Sequence, residues 1–203
     1  YNELKKILNK NEFIYAEKVF NISKNKGFEN HIILKRSFEK NDNPDLYNKI
    51  KQKLIKARKS RAHPVIDKKI ILSWNSILLK GLICCYQSLG EKKYLELGLK
   101  NADFLIKNFL NKKNLKRIFQ SEINAFIDDY AHTISAFIKL YEVSKKNTYL
   151  DLARNLTEES IKLFYNEDEK LFNFNGRKNE KLIANKIEIF DNVIPSSNSV
   201  MFN

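Results

Sequence analysis

The chain has 203 residues, 43% of them hydrophobic, which is enough for one domain with a buried core and too many for a disordered segment. Its 5 glycines and 3 prolines disfavour a turn-rich β fold and favour long helices. The net charge of +13 comes from lysines scattered beside asparagines, with no arginine-rich stripe, so it reads as solvated helix faces and nucleic acid is not an expected partner.

In chain order, residues 3–9 predict a short helix end. Phe13 to Phe20 and His31 to Phe38 are rich in aromatic and β-branched residues and predict strands, joined by a polar turn around Lys24 to Gly27. Pro44 opens a predicted helix running to about Ser60, with Leu46, Ile50, Leu54 and Ile55 on one face. Arg61 to Lys69 is a basic loop containing Pro64. Asn75 to Leu89 predicts a helix apolar almost all round, hence buried, with Lys80 its one charge and Gly90 its stop. Cys84 and Cys85 lie on it. Neighbours on a helix point about 100° apart, so a bridge between them would be strained, and both read as buried small apolar residues. Lys92 to Leu110 predicts an amphipathic helix.

Tyr94-Leu95-Glu96-Leu97 recurs as Tyr149-Leu150-Asp151-Leu152, and the same offset pairs Tyr86 with Tyr141 and Phe109 with Phe164. A second pair of helices follows from this: a mostly apolar one from Asp128 to Ser144 and an amphipathic one from Thr148 to Tyr165. Buried inner and half-exposed outer helices in alternation predict an α/α toroid, mainly all-α. The repeat is longer than the ~34 residues of a tetratricopeptide unit or the ~33 of an ankyrin unit. The connections Leu115–Phe126 and Leu171–Phe190 alternate like strands and predict short hairpins over the mouth of the ring. Residues 1–203 read as part of one domain.

The repeat also aligns polar clusters at the helix starts: Ser73-Trp74-Asn75 over Asp128-Asp129-Tyr130, with Ser196-Ser197-Asn198 as a third of the same type. Two readings fit each cluster. Ser73, Asp128 and Ser196 are good N-cap residues, and the aspartates would also complement a helix dipole. Alternatively, amides, carboxylates and an aromatic ring line a sugar pocket. His132 occupies a position where the first repeat has apolar Ile77, which points to a polar cavity. Asp128, Asp129 and His132 are therefore the candidate catalytic residues, by proton transfer. Arg61, Trp74, Asn75, Tyr130, Asp191, Ser197 and Asn198 are the candidate substrate-binding residues. On this reading Asp129→Asn abolishes turnover with little loss of fold. Arg61 has a second reading, an ion pair that orders its loop. Asp128 and His132 at i, i+4 lack a third nearby ligand, so no metal is expected, and no cofactor is implied.

Arg61, Pro64, Asp67 and Lys68, then Ser73-Trp74-Asn75, then Ile127-Asp128-Asp129-Tyr130-Ala131, then Asp191 with Ile194-Pro195-Ser196-Ser197-Asn198-Ser199 form one ordered series. Together with Gly27-Phe28-Glu29 and Ile33-Leu34, the series resembles the thioredoxin-domain-containing family that includes spermatogenesis-associated protein 20. The resemblance implies an (α/α)₆ region, similar to N-acylglucosamine 2-epimerases and six-hairpin glycosidases, of which this chain is the middle. It implies a thioredoxin-like domain as the partner in the full-length protein, outside this chain, and final hairpins beyond Asn203. A small carbohydrate is the implied ligand. The alternative is a non-catalytic helical scaffold or protein-interaction domain. The chain contains no signal-peptide pattern and no apolar run of about 18 residues, so no membrane partner is expected and the expected location is cytoplasmic. The first residue is Tyr1, not Met, so an upstream segment is expected.

Overall fold

The computed structural model describes residues 1–22, 33–36, 43–110, 115–180 and 183–203. They form two compact units, Tyr1–Asp67 and Lys68–Asn203, where the sequence reads as one domain.

The first unit contains α1 (Asn2–Ile7), α2 (Lys10–Val19) and α3 (Pro44–Lys59). The strand predicted over Phe13–Phe20 is a helix. Asn9 and Glu12 make a reciprocal capping box, in which Asn9 Oδ1 accepts from the Glu12 N–H at 2.9 Å and Glu12 Oε2 accepts from the Asn9 N–H at 3.0 Å. Behind that start, Phe13, Ala16 and Val19 recur at helical spacing and are buried, while Ile14 is exposed. The capping box and the three-residue period outweigh the β-prone composition. Lys24–Gly27 and most of His31–Phe38 lie outside the described residues, and residues 33–36 have no regular structure. Pro44 takes the first turn of α3, as the sequence predicts, and Asn43 caps it. Leu8, Phe13, Ala16, Ile22 and Ile50 form the core of this unit. Glu12 sits in it and bonds Lys53 Nζ at 2.7 Å, and Lys53 beside it holds its carboxyl below the usual range.

The second unit consists of helical hairpins: α4 (Leu72–Leu89) with α5 (Lys92–Leu105), then α6 (Ile127–Ser144) with α7 (Asn147–Phe164), then α8 (Ser197–Met201). A five-residue π-turn, Ile106–Leu110, continues α5 and seats Phe109 in the core. Helix α6 packs against α4, α7 and α8. The two hairpins match residue for residue, since Leu72 and Ile127 open the inner helices and Lys92 and Asn147 the outer ones. Gly90 and Lys145 end the inner helices, both in the left-handed region at φ 70° and 55°. Gly98 lets α5 approach α4: a Cβ there would stand 3.0 Å from Ile83 Cδ1.

Helix α6 is buried almost all round, but α4 is not. Leu72, Leu79 and Ile83 face α5 and α6, whereas Trp74, Leu78 and Leu89 lie on the opposite side and are exposed. Cys84 and Cys85, predicted buried, are half-buried free thiols for the same reason. Residues 115–126 double back through the bridges Lys116–Asn124 and Ile71–Ile118, so this connection covers the start of α4. In the second connection, β1 (Tyr165–Asn166) and β2 (Leu171–Phe172) pair antiparallel, and the described residues after β2 up to α8 form no further strand. No described helix is long and apolar enough to cross a membrane.

Candidate functional site

The predicted cap residues Ser73 and Asp128 do not cap. Each is the second residue of its helix, and Ile71 and Phe126 hold the cap positions. Apolar residues can open both helices because Asp129 supplies the missing acceptor to each. Its Oδ2 accepts from the Phe126 N–H at 3.0 Å and its Oδ1 from the Ser73 N–H at 3.1 Å. One carboxylate thus satisfies the first turns of α6 and α4 together. Ser196, by contrast, caps α8 as predicted, with its hydroxyl accepting from the Ser199 N–H at 3.1 Å.

Arg117, from the connection over α4, completes the cluster. Its Nη1 donates to Asp128 Oδ1 at 2.8 Å and to Asp129 Oδ2 at 2.9 Å. Asp129 is fully buried. Burial and the neighbouring Asp128 charge push its carboxyl up to about 7, against the pull of Arg117, the Phe126 N–H and Ser73. Sequence reasoning missed Arg117. The signal was its phase: in the alternating stretch it shares the inward positions with Leu115 and Phe119. A glycosidase needs two carboxyls flanking the scissile bond, at least ~5 Å apart with the sugar between them. Asp128 and Asp129 instead grip one nitrogen from the same side, so they do not form such a pair.

His132 lies one turn after Asp128, 5% exposed, with the Pro195 backbone and the charges of Asp128 and Lys80 beside it. Burial lowers its pKa, so the neutral imidazole is favoured. Its Nε2 is buried without a hydrogen-bond partner. The hydroxyls of Ser73 and Ser197 are also buried and unpartnered, so each of the three helix-start segments contributes one orphaned polar atom. Among the described residues no three His, Cys, Asp or Glu side chains gather as metal ligands.

The remaining predicted site residues are dispersed. Asn198 is committed to backbone: its Oδ1 accepts from the Phe172 N–H at 2.8 Å, and its Nδ2 donates to the Phe172 and Glu188 carbonyls. Asp191 Oδ1 accepts from the Ser196 N–H at 2.9 Å and orders the entry to α8. Asn75 Nδ2 donates to the Ile71 carbonyl at 2.8 Å. Trp74 stands at the start of α4 but is 62% exposed. The Tyr130 phenol faces Glu159, and burial first, then the Glu159 charge, raise its pKa. Arg61 is exposed in the first unit and pairs with Glu3, which is the loop-ordering ion pair of its second reading.

No family model matches the chain. An uncharacterized protein of Caenorhabditis elegans is 31% identical over 169 residues, covering 75% of this chain and 22% of that protein. Mouse spermatogenesis-associated protein 20 is 27% identical over 127 residues, covering 56% of this chain and 16% of that protein. The human protein of that name is 26% identical over 133 residues. The chain therefore spans 16% to 22% of the length of these relatives. Among solved structures, cellobiose 2-epimerase from Bacillus thermoamylovorans superposes with a TM-score of 0.51 at 19% identity, over 62% of this chain and 34% of that one. The chain is thus similar to a stretch of spermatogenesis-associated protein 20 and carries part of an α/α toroid.

Proposed function

We propose that the second unit binds a small carbohydrate at the starts of its inner helices and that His132 is its proton-transfer group. The observation that carries this reading is the unpartnered, buried Nε2 of a neutral His132, in a fold shared with a sugar epimerase. A neutral imidazole with a free lone pair can take a proton from the carbon beside a sugar carbonyl. Asp128, one turn away, stabilises the imidazolium that forms. Asp129 and Arg117 are positioning residues that hold Asp128 and the two helix starts. Trp74 offers its exposed ring at the start of α4. Epimerisation fits this arrangement better than hydrolysis, because one base is available and no carboxyl pair flanks a bond.

The test is proton exchange. Cellobiose and simple reducing sugars are incubated with the chain in deuterated water, and loss of the C2 proton signal is followed by NMR. Exchange by the wild type, reduced at least ~100-fold in His132→Gln, is the expected result. Sugar binding without exchange in either protein would remove the catalytic role and leave a binding module.

A second reading is a non-catalytic scaffold. It is favoured by the exposed Trp74, Leu78 and Leu89 on α4 and by the commitment of Asn198 and Asp129 to backbone. On this reading sugars have no effect, and substitutions along the exposed face of α4, not at His132, disturb the protein's associations.

A further inference from the structure

Helix α4 carries one charged residue, Lys80, and it lines a cavity of the second unit. The cavity has a volume of about 530 Å³, and Cys84, Ser135, Lys139 and Glu142 are also among its lining residues. Small-molecule sites occupy ~300–1,000 Å³, so a hexose with one further group attached fits here.

The charges of the lining are not all committed to each other. Lys139 Nζ donates to Glu142 Oε2 at 2.7 Å, and Gln87 also bonds that carboxylate. Lys80 has no such partner. It is half-buried, its Nζ donates to the neutral Ser135 Oγ at 2.8 Å, and among the described residues it forms no ion pair. An ammonium has three N–H donors, so two remain for a ligand. The group is also fixed in place. The Lys80–Ser135 bond joins α4 to α6 one turn after the Ser76–Thr133 hydroxyl bond at 2.8 Å, so the side chain is tied between two helices.

Its position relative to His132 follows from the helix. Ser135, which holds the ammonium, comes three residues after His132, so the two share a face of α6 with Cβ atoms about 5–6 Å apart. Burial first, and then the Lys80 charge, disfavour the imidazolium against the pull of Asp128, which places Lys80 within electrostatic reach of that ring. A hexose whose C2 lies toward His132 brings its far end toward Lys80.

We infer that the ligand of this unit is an anionic sugar, with a phosphate or carboxylate group that Lys80 binds while the carbonyl end of the sugar lies toward His132. The inference rests on the carbohydrate reading above and adds the substrate class to it. A hydrogen bond from an ammonium to an oxyanion is about twice as strong as one between neutral groups, so Lys80 selects the charged sugar over the neutral one.

The test is calorimetric titration of the 203-residue chain with the 6-phosphates of glucose and mannose, with glucuronate, with glucose and mannose, and with inorganic phosphate. At least one anionic sugar is expected to bind about tenfold tighter than the neutral sugars and than inorganic phosphate, and Lys80→Met is expected to reduce its affinity to that of the neutral sugar. The tighter of the 6-phosphates and glucuronate identifies the anionic group. Cys84 lines the same cavity, so the bound anionic sugar is also expected to slow alkylation of Cys84 by iodoacetamide several-fold in the wild type, a readout that does not depend on how the variant folds. Neutral sugars binding as tightly as the anionic ones overturn the inference and leave the carbohydrate reading standing. Inorganic phosphate binding as tightly as the sugar phosphates overturns it as well, because the site then recognises the anion alone. So does a Lys80→Met variant that keeps the wild-type affinity, or Cys84 alkylation that bound sugar does not slow. If no sugar binds, the carbohydrate reading fails together with the inference.

Discussion

Asp129 shows how a residue chosen for chemistry can belong first to the fold. A buried carboxylate that accepts from two backbone N–H groups and from Arg117 cannot be replaced by an amide without leaving partners unsatisfied. Asp129→Asn is therefore expected to cost about 2–4 kcal/mol of stability, contrary to the mild effect that its position in the sequence implies. Urea unfolding followed by Trp74 fluorescence measures this, and a loss below about 1 kcal/mol would place the Asp129 bonds outside the folding balance. Its titration gives a second check. The native carboxyl is pushed up to about 7, from an ordinary value of 3.8. Between those values the native state holds a proton that the unfolded chain has released. Folding then takes up a proton, so stability is expected to fall as pH rises from about 4 to about 7, a limb absent in Asp129→Asn. His132 acts in the opposite sense. Its native pKa lies below 6.5, so its contribution is present above that pH and is lost as pH falls through the native value. The sequence placed Asp128, Asp129 and His132 on one helix start, but the phase of Arg117 in its alternating stretch showed only that it points inward, not that it is the counter-ion shared by the two aspartates. That pairing depends on a non-local bridge, Ile71 with Ile118.

At the scale of elements, the repeat was legible because it is written in both apolar spacing and helix stops. The two inner helices begin and end at matching positions, and their stops differ in one instructive way. Gly90 holds its left-handed backbone without strain, whereas Lys145 holds the matching conformation with a side chain. Lys145→Gly is expected to stabilise the second unit by about 1 kcal/mol, read as a higher urea midpoint. Where α5 crosses α4, Gly98→Val would press two methyl groups toward Ile83 and Leu79 and is expected to cost about 1–3 kcal/mol. The misread element is α2. Its aromatic and β-branched residues favoured a strand by composition, and the deciding signal, Asn9 with Glu12, lay just upstream of the segment considered. The full burial expected of α4 failed for a different reason. A helix that is apolar all round declares two buried faces, but α5 and α6 cover one.

At the scale of the molecule, the alternation of inner and outer helices was enough to identify a toroid, and the superposition on cellobiose 2-epimerase agrees. The division at Asp67 falls in the loop read at Arg61 to Lys69 with its Pro64, but a short loop does not by itself distinguish a unit boundary from a connection within one domain. The fold limits where a ligand can meet the inner helices but does not choose the ligand. His132, the orphaned hydroxyls of Ser73 and Ser197, and the Asp128–Arg117 pair supply the chemical choice proposed here. The most direct test is a thermal melt of the 203-residue chain against a panel of reducing mono- and disaccharides. A single sugar at about a hundredfold excess over its Kd should stabilise the wild type by about 2.7 kcal/mol. A cooperative melt that no sugar shifts would contradict a carbohydrate site in the second unit.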